Sequence, residues 1–424
     1  MSLFRWPAAL GMIVLVAVPL SAPASAQGAS DILRRHAYAG TLATGEGELA
    51  ARSAANPADQ EALAALGMAR FARAIERLGQ SFYRHGLRSS EDLGMGLPVL
   101  RFPVPENPNP APLSYEELRE IYTRLLADLA EARATLALVR SDDVRIRLDL
   151  NAVRLDLNGD GRGSEDEALG TIVEQLNQPP RVRRSMGRSD VSQPWNVTFD
   201  RADMIWLNGY ATLISAFTEF ALAHDWRDTF LEAGHLFFPR ITGGTAVTMR
   251  SQPSRDMGGD TGGRVADMVA FVHLLRWPVV EPQRMRSARQ HLLTAIRLSR
   301  ENWAAILAET DDENEWVPGP HQTSNAVPSM QVTHERVAAW RAVLDELESI
   351  LEGRTLLAHW RLTGGIDVRR VFEEPPQTFD AVLWLTGHAA LPYMRDGTTV
   401  SQTTWAEWQR AFGGNFLGFA LWFN

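Results

Sequence analysis

The sequence predicts a mainly α fold, an irregular multi-helix bundle with long loops and room for one short hairpin. Three observations carry this. Apolar residues recur at three- and four-residue spacing in several long segments, as a helix with one buried face requires. Helix-start residues stand in front of those segments. Strict apolar–polar alternation, the strand signal, is confined to a few residues around 144–150.

The first element is no part of the bundle. Arg5 precedes the apolar stretch Ala8–Leu20, and Ala24-Ser25-Ala26 follows as a small-residue cleavage site. The order is that of an export signal spanning 1–26, with a mature chain from Gln27 and a periplasmic or secreted bacterial location. The apolar stretch is shorter than the ~20 residues of a membrane span. No later segment is apolar enough to cross a membrane.

The mature chain divides into an N-terminal helical region (27–140), a short acidic segment (141–180) and a C-terminal helical region (181–424). The two helical regions are expected to pack as one large domain. Ser30–Ala55 is small and alanine-rich. Asn56-Pro57-Ala58-Asp59 opens a helix over Gln60–His85, with Leu63, Leu66, Phe71, Ile75, Leu78 and Phe82 on its apolar face. Leu66-Gly67 has the look of a tetratricopeptide start, but no second copy follows. The prolines of Leu97–Leu113 exclude helix there. Ser114 and Glu117 form a capping box for a helix to about Val139. Val144, Ile146, Leu148 and Leu150 alternate as a short strand. Further helices are expected at Asp200–His224, Trp226–Phe238, Arg264–Trp277, Gln283–Ala308 and Thr333–Leu351, and a short strand within Gly364–Val371.

Composition removes several chemistries. The 424 residues include no cysteine, so thiolate zinc sites, cysteine nucleophiles and disulfides are excluded. All 42 basic residues are arginine, which excludes lysine Schiff bases, Walker A loops and Ser-x-x-Lys hydrolases. A net charge of -9 without a concentrated basic face argues against nucleic acid. Arg181, Arg183, Arg184 and Arg188 form a basic loop, and Gly258–Gly263 is glycine-rich without a preceding strand.

The strongest chemical signal is Asp156-Leu157-Asn158-Gly159-Asp160-Gly161-Arg162-Gly163-Ser164-Glu165-Asp166-Glu167, which fits D-x-[DN]-x-[DN]-G-x5-E without a gap. Asp156, Asn158 and Asp160 offer side-chain oxygens from alternate positions. Gly161 permits the bend that aims the Arg162 carbonyl inward. Ser164 ligates directly or through water, and Glu167 closes the shell with two oxygens, as a calcium ion asks. Ser164 and Glu167 also have capping-box spacing for a helix over Glu165–Leu176. The twelve residues resemble the EF-hand family, including the single-loop calcium modules of exported bacterial proteins. Two features depart from the family. The eighth position is Gly163 rather than an aliphatic residue that pairs with a second hand, and no helix clearly enters the loop. Asp311-Asp312-Glu313-Asn314-Glu315 lacks the central glycine of a second loop. The expectation is one unpaired, structural calcium site on an envelope protein that binds a protein partner or small molecule, or acts as a scaffold.

The alternative is an exported enzyme, hydrolytic in kind, with a pocket near Asp203, Glu219 and His235. Glu232 and His235 have the E-x-x-H spacing of di-iron bundles, but a second such motif is missing. His334-Glu335 begins a zincin motif that Ala338 breaks. Of the 13 tryptophans, Trp316 stands out in a polar loop, where an exposed aromatic platform is the expectation.

Overall fold

The computed structural model describes residues 27–88, 104–177, 195–244, 269–270, 272–323 and 332–400, with a few positions beyond. The export signal 1–26, the arginines of 181–188 and Gly258–Gly263 lie outside the described residues.

The chain is mainly helical, as expected. The alanine-rich stretch read as featureless is two helices, α1 (Ala29–Ala39) and α2 (Leu42–Ala55), joined through Gly40 and Thr41. Gly45 lets them approach closely, since a Cβ there would lie 2.7 Å from the Cβ of His36. Helix α3 (Gln60–Arg84) starts where Asp59 accepts from the Ala62 N–H. Helix α4 (Tyr115–Leu136) has the expected capping box, Ser114 and Glu117 each satisfying the other's backbone N–H. The two helices run antiparallel. Gly67 faces Leu136, Arg70 donates to Thr135 over 2.6 Å, and Arg77 pairs with Asp128 at 2.6 Å.

Strand β1 (Ile146–Asp149) fulfils the alternation signal, but its partner is distant in sequence. After the acidic loop and α5 (Leu169–Asn177), strand β2 (Asn196–Phe199) pairs with it antiparallel, Ile146 opposite Phe199. Helix α6 (Arg201–Ala223) follows at once. Helix α7 (Arg227–Ala233) is shorter than expected and gives way to a 3-10 turn, Gly234–Leu236.

The helix expected to run to Trp277 ends earlier. Trp277 belongs to β3 (Arg276–Pro278), and α8 (Pro282–Ile306) and α9 (His334–Leu351) come next. A small C-terminal unit holds β4 (Leu357–Ala358), β5 (Gly365–Ile366), α10 (Val368–Glu373), β6 (Thr378–Asp380), α11 (Ala381–Thr386) and β7 (Met394–Arg395). Strands β4, β5 and β7 form one sheet, while β6 pairs with β3. Trp277 stacks on Phe379 at 5.7 Å, so an aromatic cross-strand pair overrides the helical reading.

Two apolar cores matter for function. The first lies among α1, α2 and α3 and reaches into the acidic loop through Leu155 and Leu157. The second joins α6, α8 and α9 around Trp206, Trp303 and Trp340. Burying each large aliphatic side chain contributes about 1.5–3 kcal/mol. Helices α6 and α8 lie antiparallel, Gly209 against Leu298 and Glu219 ion-paired with Arg284 at 2.8 Å. Trp316 packs against both cores, among Trp195, Phe199 and Trp206. It is a joint between cores and not the exposed platform that its polar neighbours suggest. Among the described residues, no helix is long and apolar enough to cross a membrane.

Candidate metal centres

The loop Asp156–Glu167 is a net of carboxylates and backbone N–H groups. Gly159 and Gly161 take left-handed φ values of 77° and 95°, which other residues rarely adopt. That curvature turns successive N–H groups inward. Asp156 Oδ1 accepts from Gly159 at 2.8 Å and Oδ2 from Gly161 at 3.1 Å. Asn158 Oδ1 accepts from Asp160, and Asp160 Oδ1 from Arg162, at 2.8 and 2.9 Å. Glu167 closes the loop across its mouth. Its Oε1 accepts from Leu157 at 2.8 Å and Asn158 at 3.0 Å, and its Oε2 from Ser164 at 2.8 Å. The carboxylates of Asp156 and Glu167 are buried, at 7% and 1% exposure. Asp156 Oδ1, Asp160 Oδ1 and Glu167 Oε2 each accept one N–H and keep a second lone pair for a cation, whereas Glu167 Oε1 and Asp156 Oδ2 already accept two. The donors are all oxygen, which fits calcium's preference.

The expected ligands thus share one turn: Asp156, Asn158, Asp160, Ser164 and Glu167, with the Arg162 carbonyl between them. The helix after the loop begins at Leu169 and not Glu165, because residues 165–168 complete the turn first. The predicted reach of Glu167 back to Ser164 is present. The segment before the loop is the β1 strand and a turn, with no entering helix.

The loop's eighth position is tied to another part of the chain. Gly163, the eighth position, donates to the Gly40 carbonyl over 2.9 Å. A Cβ on Gly40 would lie 2.3 Å from the Gly163 nitrogen, so the α1–α2 turn and the loop meet backbone to backbone. Arg154 donates to the Ala37 carbonyl at 2.9 Å on the same front. From the other side, fully buried Glu76 of α3 accepts from the Asp156 N–H at 2.8 Å. Gln80, one turn on, donates to the Asp156 carbonyl at 2.7 Å and its Oδ2 at 3.2 Å. Burial raises the Glu76 carboxyl above its usual range, against the pull of the Asp156 N–H and of Arg73.

A second acidic centre went unread in the sequence. The carboxylates of Asp200, Glu309 and Glu315 place oxygens within 4.8 Å of one another, close enough to share one metal ion. Asp200 caps α6, accepting from Ala202 and Asp203, while Asp203 reaches back to the Asp200 N–H at 3.1 Å. Glu309 follows α8 and is held by Gln322 at 3.0 Å. Glu315 arrives because Thr198 donates to the Asn314 carbonyl at 3.1 Å, which seats residues 314–315 beside β2. Burial, and then the charge of Asp200, push Glu309 up to about 8. Burial raises Glu315 to about 7. Asp203 stands well above its ordinary value, from burial and the neighbouring Asp200 charge. Burial raises Asp200 as well; Arg145 pulls Asp200 and Glu315 down in part but is itself paired with Asp311 at 3.0 Å. The centre therefore holds protons near neutrality, or a cation in their place. The acidic run at 311–315 signalled it only as a broken loop, and Asp200 only as the first residue of an expected helix.

The enzyme pocket expected around Asp203, Glu219 and His235 does not form. Sixteen residues of continuous α6 separate Asp203 from Glu219, about 24 Å at the helical rise. Glu219 is committed to Arg284. His235 sits in the 3-10 turn after α7, so the E-x-x-H spacing is not on one helix face. Comparison with known proteins finds no matching family model, no matching curated protein and no matching solved structure.

Proposed function

We propose that the chain is an exported, calcium-stabilised helical protein of the bacterial cell envelope, acting by binding or scaffolding. One calcium ion is held by Asp156, Asn158, Asp160, the Arg162 carbonyl, Ser164 and Glu167. The carrying observation is the buried pair Asp156 and Glu167, first and last of one turn, in an all-oxygen shell whose glycines take left-handed φ. Both carboxylates are taken out of water, and a hard divalent cation offsets the cost of burying their charge. The folded loop binds the ion and the unfolded chain does so poorly, so calcium adds stability by mass action, about 2.7 kcal/mol at a hundredfold excess over Kd. Docking of Gly163 on Gly40 supports a fixed site over a hand that opens. The charge and small-residue pattern of 1–26 supports export.

Thermal unfolding of the chain from Gln27 tests the reading, in EDTA and in about 1–5 mM calcium, the range of weak extracellular sites. The wild-type midpoint is expected to rise with calcium, and that of Asp156→Ala/Glu167→Ala is not. A wild type indifferent to calcium overturns it.

A further inference from the structure

Helices α3 and α4 leave a groove of about 370 Å³ between the C-terminal half of one and the N-terminal half of the other. That volume lies within the usual range of small-molecule sites, roughly 300–1,000 Å³. The antiparallel register fixes its layout. Arg77 stands opposite Asp128, which places Ser81 opposite Arg124 and Arg84 opposite Ile121. One end is closed by the Arg77–Asp128 ion pair at 2.6 Å. Arg84 lies two turns further, about 10 Å along the helix axis. The floor is apolar, made by Leu78, Ile121 and Leu125.

The charges do not balance. Three arginines line the groove against one aspartate, on a chain whose net charge is -9. Arg77 is neutralised by Asp128 and Glu46. Among the described residues, Arg124 has only a loose partner, Glu120 at 3.5 Å, both side chains being more than half exposed. Such pairs contribute little. Among the described residues, no carboxylate stands within ion-pair distance of the Arg84 guanidinium, and its nearest counter-charge is Glu117, which is already committed to capping at Ser114. An exposed arginine is ordinary. Arg84 and Arg124 line the same groove about a turn apart, above the apolar side chains of Leu78, Ile121 and Leu125, so one carboxylate can lie between them with an apolar body beneath it.

We propose that this groove binds a small amphipathic carboxylate. The acyl chain lies on Leu78, Ile121 and Leu125, and the carboxylate sits between Arg84 and Arg124. The proposal does not rest on the calcium reading, although Gln80, which lines the groove, also donates to Asp156.

Isothermal titration of the chain from Gln27 with sodium octanoate tests it, beside octylammonium as a probe of the same body and opposite charge. For about ten non-hydrogen atoms, a Kd of roughly 0.1–1 mM is expected, with one molecule bound per chain. Octylammonium is expected to bind at least tenfold more weakly. Arg84→Gln/Arg124→Gln is expected to lose at least tenfold in octanoate affinity. Both side chains are exposed, so its unfolding midpoint should match the wild type and the loss will not reflect misfolding. Equal binding by the variant, equal binding of octylammonium, or no octanoate binding at about 5 mM each overturns the proposal.

Discussion

The carboxylate of Glu76 accepts the backbone N–H of Asp156 over 2.8 Å, although 80 residues of chain separate them. Glu76 is fully buried, and Arg73 is its counter-ion. One side chain in the middle of α3 therefore supports both a buried cation and the first residue of the acidic loop.

Removing it should be severe. Glu76→Ala leaves the Asp156 N–H without its acceptor in the interior and Arg73 with the looser partner Glu46 at 3.8 Å, a loss of up to about 3–5 kcal/mol for a broken buried pair. Denaturant unfolding should show it, and the calcium-induced rise in midpoint should shrink as well. Glu76→Gln keeps an acceptor for Asp156 and should lose less.

Two glycines should behave in opposite ways. Gly40→Ala needs a left-handed φ of 66° and drives a Cβ to 2.3 Å from the Gly163 nitrogen. It should destabilise by more than about 1 kcal/mol. Gly47 lies inside α2 with nothing within 4 Å of its added Cβ. Gly47→Ala should stabilise by about 0.5–1 kcal/mol through helix propensity. Thermal midpoints of the two variants are expected to move in opposite directions.

The acidic centre should make stability fall as pH rises. Glu309 near 8 and Glu315 near 7 in the folded chain exceed the ordinary 4.5, so between these values the folded state holds more protons than the unfolded. Folding then loses free energy with increasing pH from about 4.5 to about 8, and the loss levels off above. Partial exposure and coupling limit it to a few kcal/mol. Measured in EDTA, Glu315→Gln should flatten this slope and be the more stable protein at pH 8. A divalent cation that binds here should stabilise the wild type at pH 8 and leave the variant unchanged.

Trp316 joins two cores, 5.5 Å from Trp206 and 5.9 Å from Phe199 between ring centres. Trp316→Ala should destabilise by about 3–5 kcal/mol, as expected when a packed aromatic side chain is removed. Were it an exposed platform, unfolding would be unaffected.

Local chemistry was legible in the sequence and long-range chemistry was not. Ser114 and Glu117, three residues apart, announce their helix because the capping bonds lie within the same turn. The loop at 156–167 reads equally well, since its acceptors and N–H donors are neighbours. Helix α2 escaped notice because Gly45 and Gly47 weaken its helical signal, while the reason for Gly45, contact with His36, lies in α1. Trp277 looked helical until Phe379, from a distant segment, offered it a strand partner. Asp200, Glu309 and Glu315 meet only because Thr198 captures Asn314. No spacing rule within one segment encodes that encounter.

The contact between Gly163 and Gly40 bears on how far the acidic loop is a portable part. An EF-hand pair is a self-contained unit, because each loop finds its backbone partner in the other. Here the partner carbonyl belongs to the α1–α2 turn, and the acceptor for Asp156 belongs to α3. A peptide cut at 141–180 would leave both N–H groups facing water, with nothing to hold the curvature. The working unit extends back to Ala29, so grafting the twelve residues alone onto another protein would transfer the ligands without their scaffold.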